Sequence, residues 1–255
     1  MQTLTQRRSV PVDAAKTAAI FGSLLIHASA AGGFAGAPGS FGWTSALFWN
    51  CLLRSAVPVF FLCSGALHGG EVHLDYPSVG ATENVMMAAC GAAGDTVIHN
   101  AAREPEIVDL GRFLNACGAR VRGMGTDSIR ISGRDAPLHG CTYAPLPDRI
   151  CAGTLLCGAA ITGGDVYVRD AREQDLSALL HKLRETGCEI HLPQGGGVRA
   201  IAPKRLRAVR RIETAPFPGF PTDMQPQMAA MLTCAEGTSI ITEGVWDNRF
   251  RYTEQ

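Results

Sequence analysis

Residues 218–228 read PGFPTDMQPQM and set one carboxylate, Asp223, between prolines and the apolar run that follows. Pro218 and Pro221 fix φ on either side of Phe220 and predict an extended approach. Thr222 or Asp223 then offers the oxygen that caps a helix predicted over 224–234, with Pro226 in its first turn, where the missing N–H costs little. A carboxylate held there has two uses. It caps the helix, the commoner role for this residue type, or it takes the proton of an attacking hydroxyl as a general base, next to N–H groups that favour anions. Spacing alone leaves both open.

Three other stretches could serve a ligand. In Tyr76-Pro77-Ser78-Val79-Gly80-Ala81-Thr82, Pro77 pre-sets a turn, Ser78 offers a cap to the next helix and Gly80 permits close backbone approach. That suits an anionic or uridyl group, and it equally suits a plain strand-to-helix turn. In Arg103-Glu104-Pro105-Glu106, the proline fits a first helical turn and the acids complement its dipole, a mainly structural role. Pro147-Asp148-Arg149 reads as a brace rather than a catalyst.

Other chemistries find little footing. Lys and Arg total 23 and so do Asp and Glu, so no global field favours nucleic acid or an anionic surface. The cluster Lys204, Arg205, Arg207, Arg210 and Arg211 lacks interleaved aromatics and reads as a solvated connection. Nine Cys, without a C-x-x-C pair, read as small buried hydrophobes in a reducing compartment. Seven His show no H-E-x-x-H or comparable ligand spacing, and neither a P-loop nor G-x-G-x-x-G occurs. The sequence predicts no metal, no cofactor and no nucleic-acid partner.

The elements that must position these residues repeat. Gly94-Asp95-Thr96-Val97-Ile98 recurs as Gly164-Asp165-Val166-Tyr167-Val168 and again as Gly237-Thr238-Ser239-Ile240-Ile241. The helix pattern ending at Gly118 recurs in the one ending at Gly187. Each unit reads as helix, strand, helix and a pair of strands, with a Gly closing the second helix. A period near seventy residues predicts a modular α/β (α+β) build. Ahead of it, residues 17–33 and 45–67 are apolar, and no Asp, Glu, Lys or Arg falls between Thr17 and Leu53. They read as two transmembrane helices, with the N-terminus on the cytoplasmic side. Composition changes abruptly at His68-Gly69-Gly70-Glu71.

Residues 218–228, together with AEGTSIITEGVWDNRF (235–250), LDYPSVGATENVMMAA (74–89), NAAREPEIVDLGRFLNACGARVRGMGTDSIRISG (100–133) and LPDRICAGT (146–154), resemble the UDP-N-acetylglucosamine 1-carboxyvinyltransferase family of enolpyruvyl transferases. The resemblance covers about 74–252. It implies an inside-out barrel of repeated βαβαββ-type units, incomplete here. Residues 71–144 would be the last unit of one domain, and 145–255 the first unit and a truncated second unit of the other. It implies enolpyruvyl transfer from phosphoenolpyruvate to the 3′-hydroxyl of UDP-N-acetylglucosamine, in peptidoglycan precursor synthesis, with no cofactor. Asp223 takes the position of the base; Pro77, Ser78, Val79, Gly80 and Val245 take positions that contact the nucleotide sugar. Gly244, Trp246 and Asp247 depart from the family's usual Thr, Phe and Glu. The Lys-Asn pair, the Arg residues and the loop Cys that serve phosphoenolpyruvate in the family have no match in this chain, which is therefore expected to be inactive alone.

Residues 13–30 and 52–67 are similar to the first two helices of the integral-membrane acyltransferase family three, whose first-helix His matches His27. This makes 1–70 a membrane-type segment that tethers a cytoplasmic 71–255 to the inner face of the cell membrane. The alternative reading is a membrane O-acyltransferase remnant carrying a non-catalytic passenger. A third unit cut short predicts unpartnered apolar faces at Met228, Met231 and Leu232, and hence association.

Overall fold

The computed structural model describes residues 68–133 and 137–254. His27 and the apolar stretches 17–33 and 45–67 lie outside the described residues. Among the described residues no helix is long and apolar enough to cross a membrane. These residues fall into two units, one running to Ala101 and adding Leu110–Tyr143, the other comprising Ala102–Asp109 and everything from Ala144.

In the first unit, strand β1 (Glu71–His73) leads to helix α1 (Val79–Ala89), strand β2 (Thr96–His99), the part of helix α2 (Pro105–Ala116) from Leu110 onward, and strands β3 (Val121–Arg122) and β4 (Ser128–Ile131), while the start of α2 falls in the second unit. The sheet order is β1-β2-β4-β3, with β1 and β2 parallel and the other pairings antiparallel. The alternation of the strands sends Ile98, Ile129 and Ile131 inward with Met86 of α1, all fully buried. Thr96 lies opposite Ile131 and Ile98 opposite Ile129, so the inward residues share one face.

The second unit repeats the plan. Helix α3 (Arg149–Thr162) is followed by strand β5 (Asp165–Val168), helix α4 (Glu173–Glu185) and strands β6 (Glu189–His191) and β7 (Val198–Ile201), in the sheet order β5-β7-β6. Strand β8 (Arg211–Glu213) then begins a further repeat through helix α5 (Gln225–Leu232) to strand β9 (Ile240–Thr242), parallel to β8. As the repeat pattern predicts, Gly118 and Gly187 close the second helices at φ 94° and 95°. There Ala119 N–H bonds Leu114 O and Cys188 N–H bonds Leu183 O, at 2.9 and 3.1 Å, so helix carbonyls are satisfied in the same way in both repeats.

The core of the second unit corrects one expectation. Met228, Met231 and Leu232 are not left bare: they are buried with Leu156, Leu179, Leu183 and Ile212, because α5 packs on α3. Gly153 lets α4 and the turn before α5 come close to α3, since a Cβ there would come within 2.6 Å of Leu179 and 3.0 Å of Met224. The cysteines divide. Cys90, Cys117, Cys157 and Cys188 are buried as expected, whereas Cys141, Cys151 and Cys234 are exposed. Burial, with Cys188 nearby, pushes the Cys157 thiol up to about 12, so it is inert packing. Of the basic cluster, Arg205 pairs with Glu236 and Arg211 with Glu213, all four exposed; Arg211 and Glu213 lie on β8 rather than on a connection.

Candidate functional site

The backbone before Asp223 is less extended than the prolines predict. Residues 215–220 fold back, with Ala215 N–H bonding Phe220 O at 3.0 Å and Gly219 N–H bonding Pro216 O at 2.8 Å; the Phe217–Pro218 peptide is cis. Pro221 keeps the extended conformation, at φ −70° and ψ 132°. One 3-10 turn, Thr222–Met224, then precedes α5.

That turn decides the role of Asp223. Met224 N–H bonds Pro221 O at 3.0 Å, Gln225 N–H bonds Thr222 O, and Pro226 has no N–H. Every donor that a capping side chain would take is already satisfied or missing. The helix accordingly has no side-chain cap, contrary to the sequence expectation for Thr222 or Asp223. The Asp223 side chain is 60% exposed, and its Oδ1 accepts from Arg249 Nη2 at 2.7 Å.

Glu243 organises what surrounds it. Its Oε1 accepts from Thr214 Oγ1 at 2.7 Å, Thr222 Oγ1 at 2.9 Å, and the N–H groups of Val245 and Trp246 at 3.0 Å each. One carboxylate oxygen therefore ties the residue before Asp223 to the loop carrying Val245. Burial works to raise the Glu243 carboxyl, but the donors outweigh it and hold it below its ordinary value. Its Oε2 is buried with no hydrogen-bond partner among the described residues. Gly244 closes the corner: its N–H bonds Thr214 Oγ1 at 2.8 Å, and a Cβ would press to 2.8 Å from Thr214 O. Val245 is half-buried beside it and Trp246 stands 65% exposed. Gln225, fully buried, accepts from Tyr252 Oη at 3.0 Å.

The structure thus brings Asp223 and Val245 together, and adds Glu243 and Arg249, which the sequence reading did not single out. A Glu whose donors lie 21 and 29 residues away along the chain carries no local signature. The remaining predicted residues belong to the first unit. Ser78 caps α1 as its type predicts: its Oγ accepts from Ala81 N–H at 3.3 Å and its carbonyl from Thr82 Oγ1 at 2.8 Å. Pro77 is half-buried before that cap. Val79 and Gly80 form the first turn, where Gly80 is exposed with nothing within 4 Å of an added Cβ.

The acids near Pro105 do more than complement a dipole. Glu106 takes Arg149 in a two-point pair, Nε to Oε2 at 3.2 Å and Nη2 to Oε1 at 3.0 Å, and the arginine side chain is only 10% exposed. Glu104 is buried and accepts from Phe217 N–H at 3.3 Å. Asp148 caps α3 through bonds to Ile150 and Cys151 N–H at 2.7 and 3.2 Å. These residues brace the turn before Asp223.

The chain is 52% identical over 197 residues to UDP-N-acetylglucosamine 1-carboxyvinyltransferase 2 of Caldanaerobacter subterraneus, covering 77% of this chain and 47% of the relative. It is 54% identical over 189 residues to UDP-N-acetylglucosamine 1-carboxyvinyltransferase 1 of Symbiobacterium thermophilum, covering 74% and 42%. The chain thus spans just under half the length of these relatives. The crystal structure of the enolpyruvyl transferase NikO from Streptomyces tendae shares the fold, at a TM-score of 0.58 and 22% identity over 69% of this chain and 42% of that one. The model of the family described as EPSP synthase (3-phosphoshikimate 1-carboxyvinyltransferase) matches residues 56–255, starting inside the apolar stretch 45–67. With more than three-quarters of its residues matched, the chain belongs to that enolpyruvyl transferase family.

Proposed function

We propose that this chain carries the acceptor side of a UDP-N-acetylglucosamine 1-carboxyvinyltransferase. In the full reaction the 3′-hydroxyl oxygen of UDP-N-acetylglucosamine bonds to C2 of phosphoenolpyruvate while a proton adds to C3, and the tetrahedral intermediate then loses phosphate from C2 and a proton from the C3 methyl. Asp223 takes the hydroxyl proton as the C–O bond forms. The observation that carries the reading is that Asp223 is uncapped and exposed, on a turn tied through Glu243 to Val245 and Trp246. Names shared by relatives at about half identity supply the acceptor and the carboxyvinyl group, and the family resemblance supplies phosphoenolpyruvate as donor.

Arg249 does not disable the base. An ion pair this exposed is worth roughly 0.2–1 kcal/mol, whereas general-base catalysis contributes about 10²–10⁴-fold in rate. Oδ1 stays with Arg249, which aims the carboxylate and leaves Oδ2 for the sugar. Val245 and Trp246 line the sugar. The Lys, Asn, Arg and Cys assigned by resemblance to phosphoenolpyruvate have no match in these 255 residues. The chain as it stands therefore binds the nucleotide sugar without turning over. Membrane tethering and acyl transfer rest on residues 1–67 and His27, and no described residue favours them.

The test is a phosphate-release assay with both substrates, run beside a UDP-N-acetylglucosamine titration. Binding without phosphate release is the expected result. Release that Asp223→Asn abolishes would show the acceptor side to be catalytically sufficient and overturn the inactivity. Absence of binding would overturn the reading itself.

A further inference from the structure

Two histidines and a glutamate meet on the outer face of the first unit's sheet. β1 and β2 run parallel with His73 paired to His99, so their side chains leave the same face about one strand spacing apart. Glu71 lies two residues before His73 and therefore on that face too. The imidazoles stack with centroids 4.3 Å apart and planes 11° from parallel. Both Nε2 atoms face one oxygen, Glu71 Oε2, at 3.7 and 3.8 Å, too far for hydrogen bonds. His99 Nε2 is buried and has no hydrogen-bond partner among the described residues. One potential ligand atom from each residue lies within 4.8 Å of the other two.

We propose that Glu71, His73 and His99 bind a borderline divalent transition-metal ion of the Zn²⁺ class. Two imidazole nitrogens and one carboxylate oxygen form the donor set that such ions prefer over the all-oxygen shells of Mg²⁺ or Ca²⁺. Metal–ligand distances of about 2.0–2.2 Å require the three atoms to close in and the His73 ring to turn out of its stack with His99, because each nitrogen lone pair lies in its own ring plane. His73 and Glu71 are free to do so, with side chains 70% and 71% exposed. His99, at 37%, is the fixed member, held opposite Ser128 on β4 as well as His73 on β1. Three ligands from one face leave the outward coordination positions to water, so the site is open. Bound metal would supply the partner that His99 Nε2 lacks, and would crosslink edge strand β1 to β2. The chain order hides this site, because the histidines come from different strands, 26 residues apart.

The competing metal site is the thiol pair of Cys117 and exposed Cys141, whose sulfurs are 3.4 Å apart. The experiment therefore titrates the reduced full chain with Zn²⁺ calorimetrically and repeats the titration with Co²⁺, whose absorption reports thiolate ligation. The expected result is one ion per chain, without a sulfur charge-transfer band. The double variant His73→Gln/His99→Gln should lose affinity by more than the roughly tenfold that removal of an outer metal partner costs. Glu71→Gln should weaken binding less, and Cys117→Ser should leave it unchanged. Unaltered affinity in the double variant, or a thiolate band abolished by Cys117→Ser, would overturn the assignment.

Discussion

Two parallel βαβ connections in this chain begin alike and end differently. β1 leads through Tyr76-Pro77-Ser78 into α1, and β8 leads through Phe220-Pro221-Thr222-Asp223 into α5. In the first, the polar residue after proline is consumed by the helix, as Ser78 Oγ accepts from Ala81 N–H. In the second, a 3-10 turn satisfies the helix donors from the backbone, so Asp223 projects into solvent beside Arg249 and Thr222 is taken up by Glu243. The same opening motif makes a structural cap in one repeat and presents a carboxylate in the other. Chemistry becomes available where the backbone does the capping.

The comparison breaks most completely at Glu243. Replacing it with Ala strands two hydroxyls and two N–H groups, which should cost about 2–3 kcal/mol and release the 244–246 loop from the Asp223 turn. Thermal unfolding measures the loss, and a nucleotide-sugar titration should show binding gone with it. The same carboxylate gives acidification a sign. Its folded value is held below the ordinary 4.5, so its contribution is present above that pH and fades as the pH falls through the folded value. Glu243→Ala should flatten that acid limb.

Next come the two equivalent positions themselves. Ser78→Ala should lower stability by about 1 kcal/mol, read in denaturant midpoints. Asp223→Ala should change stability by less than about 1 kcal/mol while weakening UDP-N-acetylglucosamine binding by roughly tenfold or more, as loss of a charged hydrogen bond does. Equal destabilisation by both would erase the distinction. Smallest is Arg249→Ala, worth roughly 0.2–1 kcal/mol and diminished by added salt; a salt-independent loss would mean that Arg249 acts through packing.

What the sequence discloses follows the range of the forces involved. Gly118 and Gly187 are readable because a positive φ is a local demand that Gly alone meets easily. Ser78 is readable because a cap spans three residues. Asp223 stays open between cap and base because residue type does not tell an α-helical start from a 3-10 start; the difference lies in whether Met224 and Gln225 bond to backbone carbonyls. Met228 and Met231 are misjudged because their cover comes from α3, about seventy residues earlier. Glu243 and the His73–His99 pair escape for the same reason, since each gathers partners that only strand pairing brings together.

The most direct measurement is an amide NMR titration of the full chain with UDP-N-acetylglucosamine. The account predicts that the signals of Asp223, Val245 and Trp246 move together and saturate with a single affinity, and that Asp223→Ala weakens that affinity. Signals at these three positions that stay fixed while the ligand binds elsewhere would contradict it.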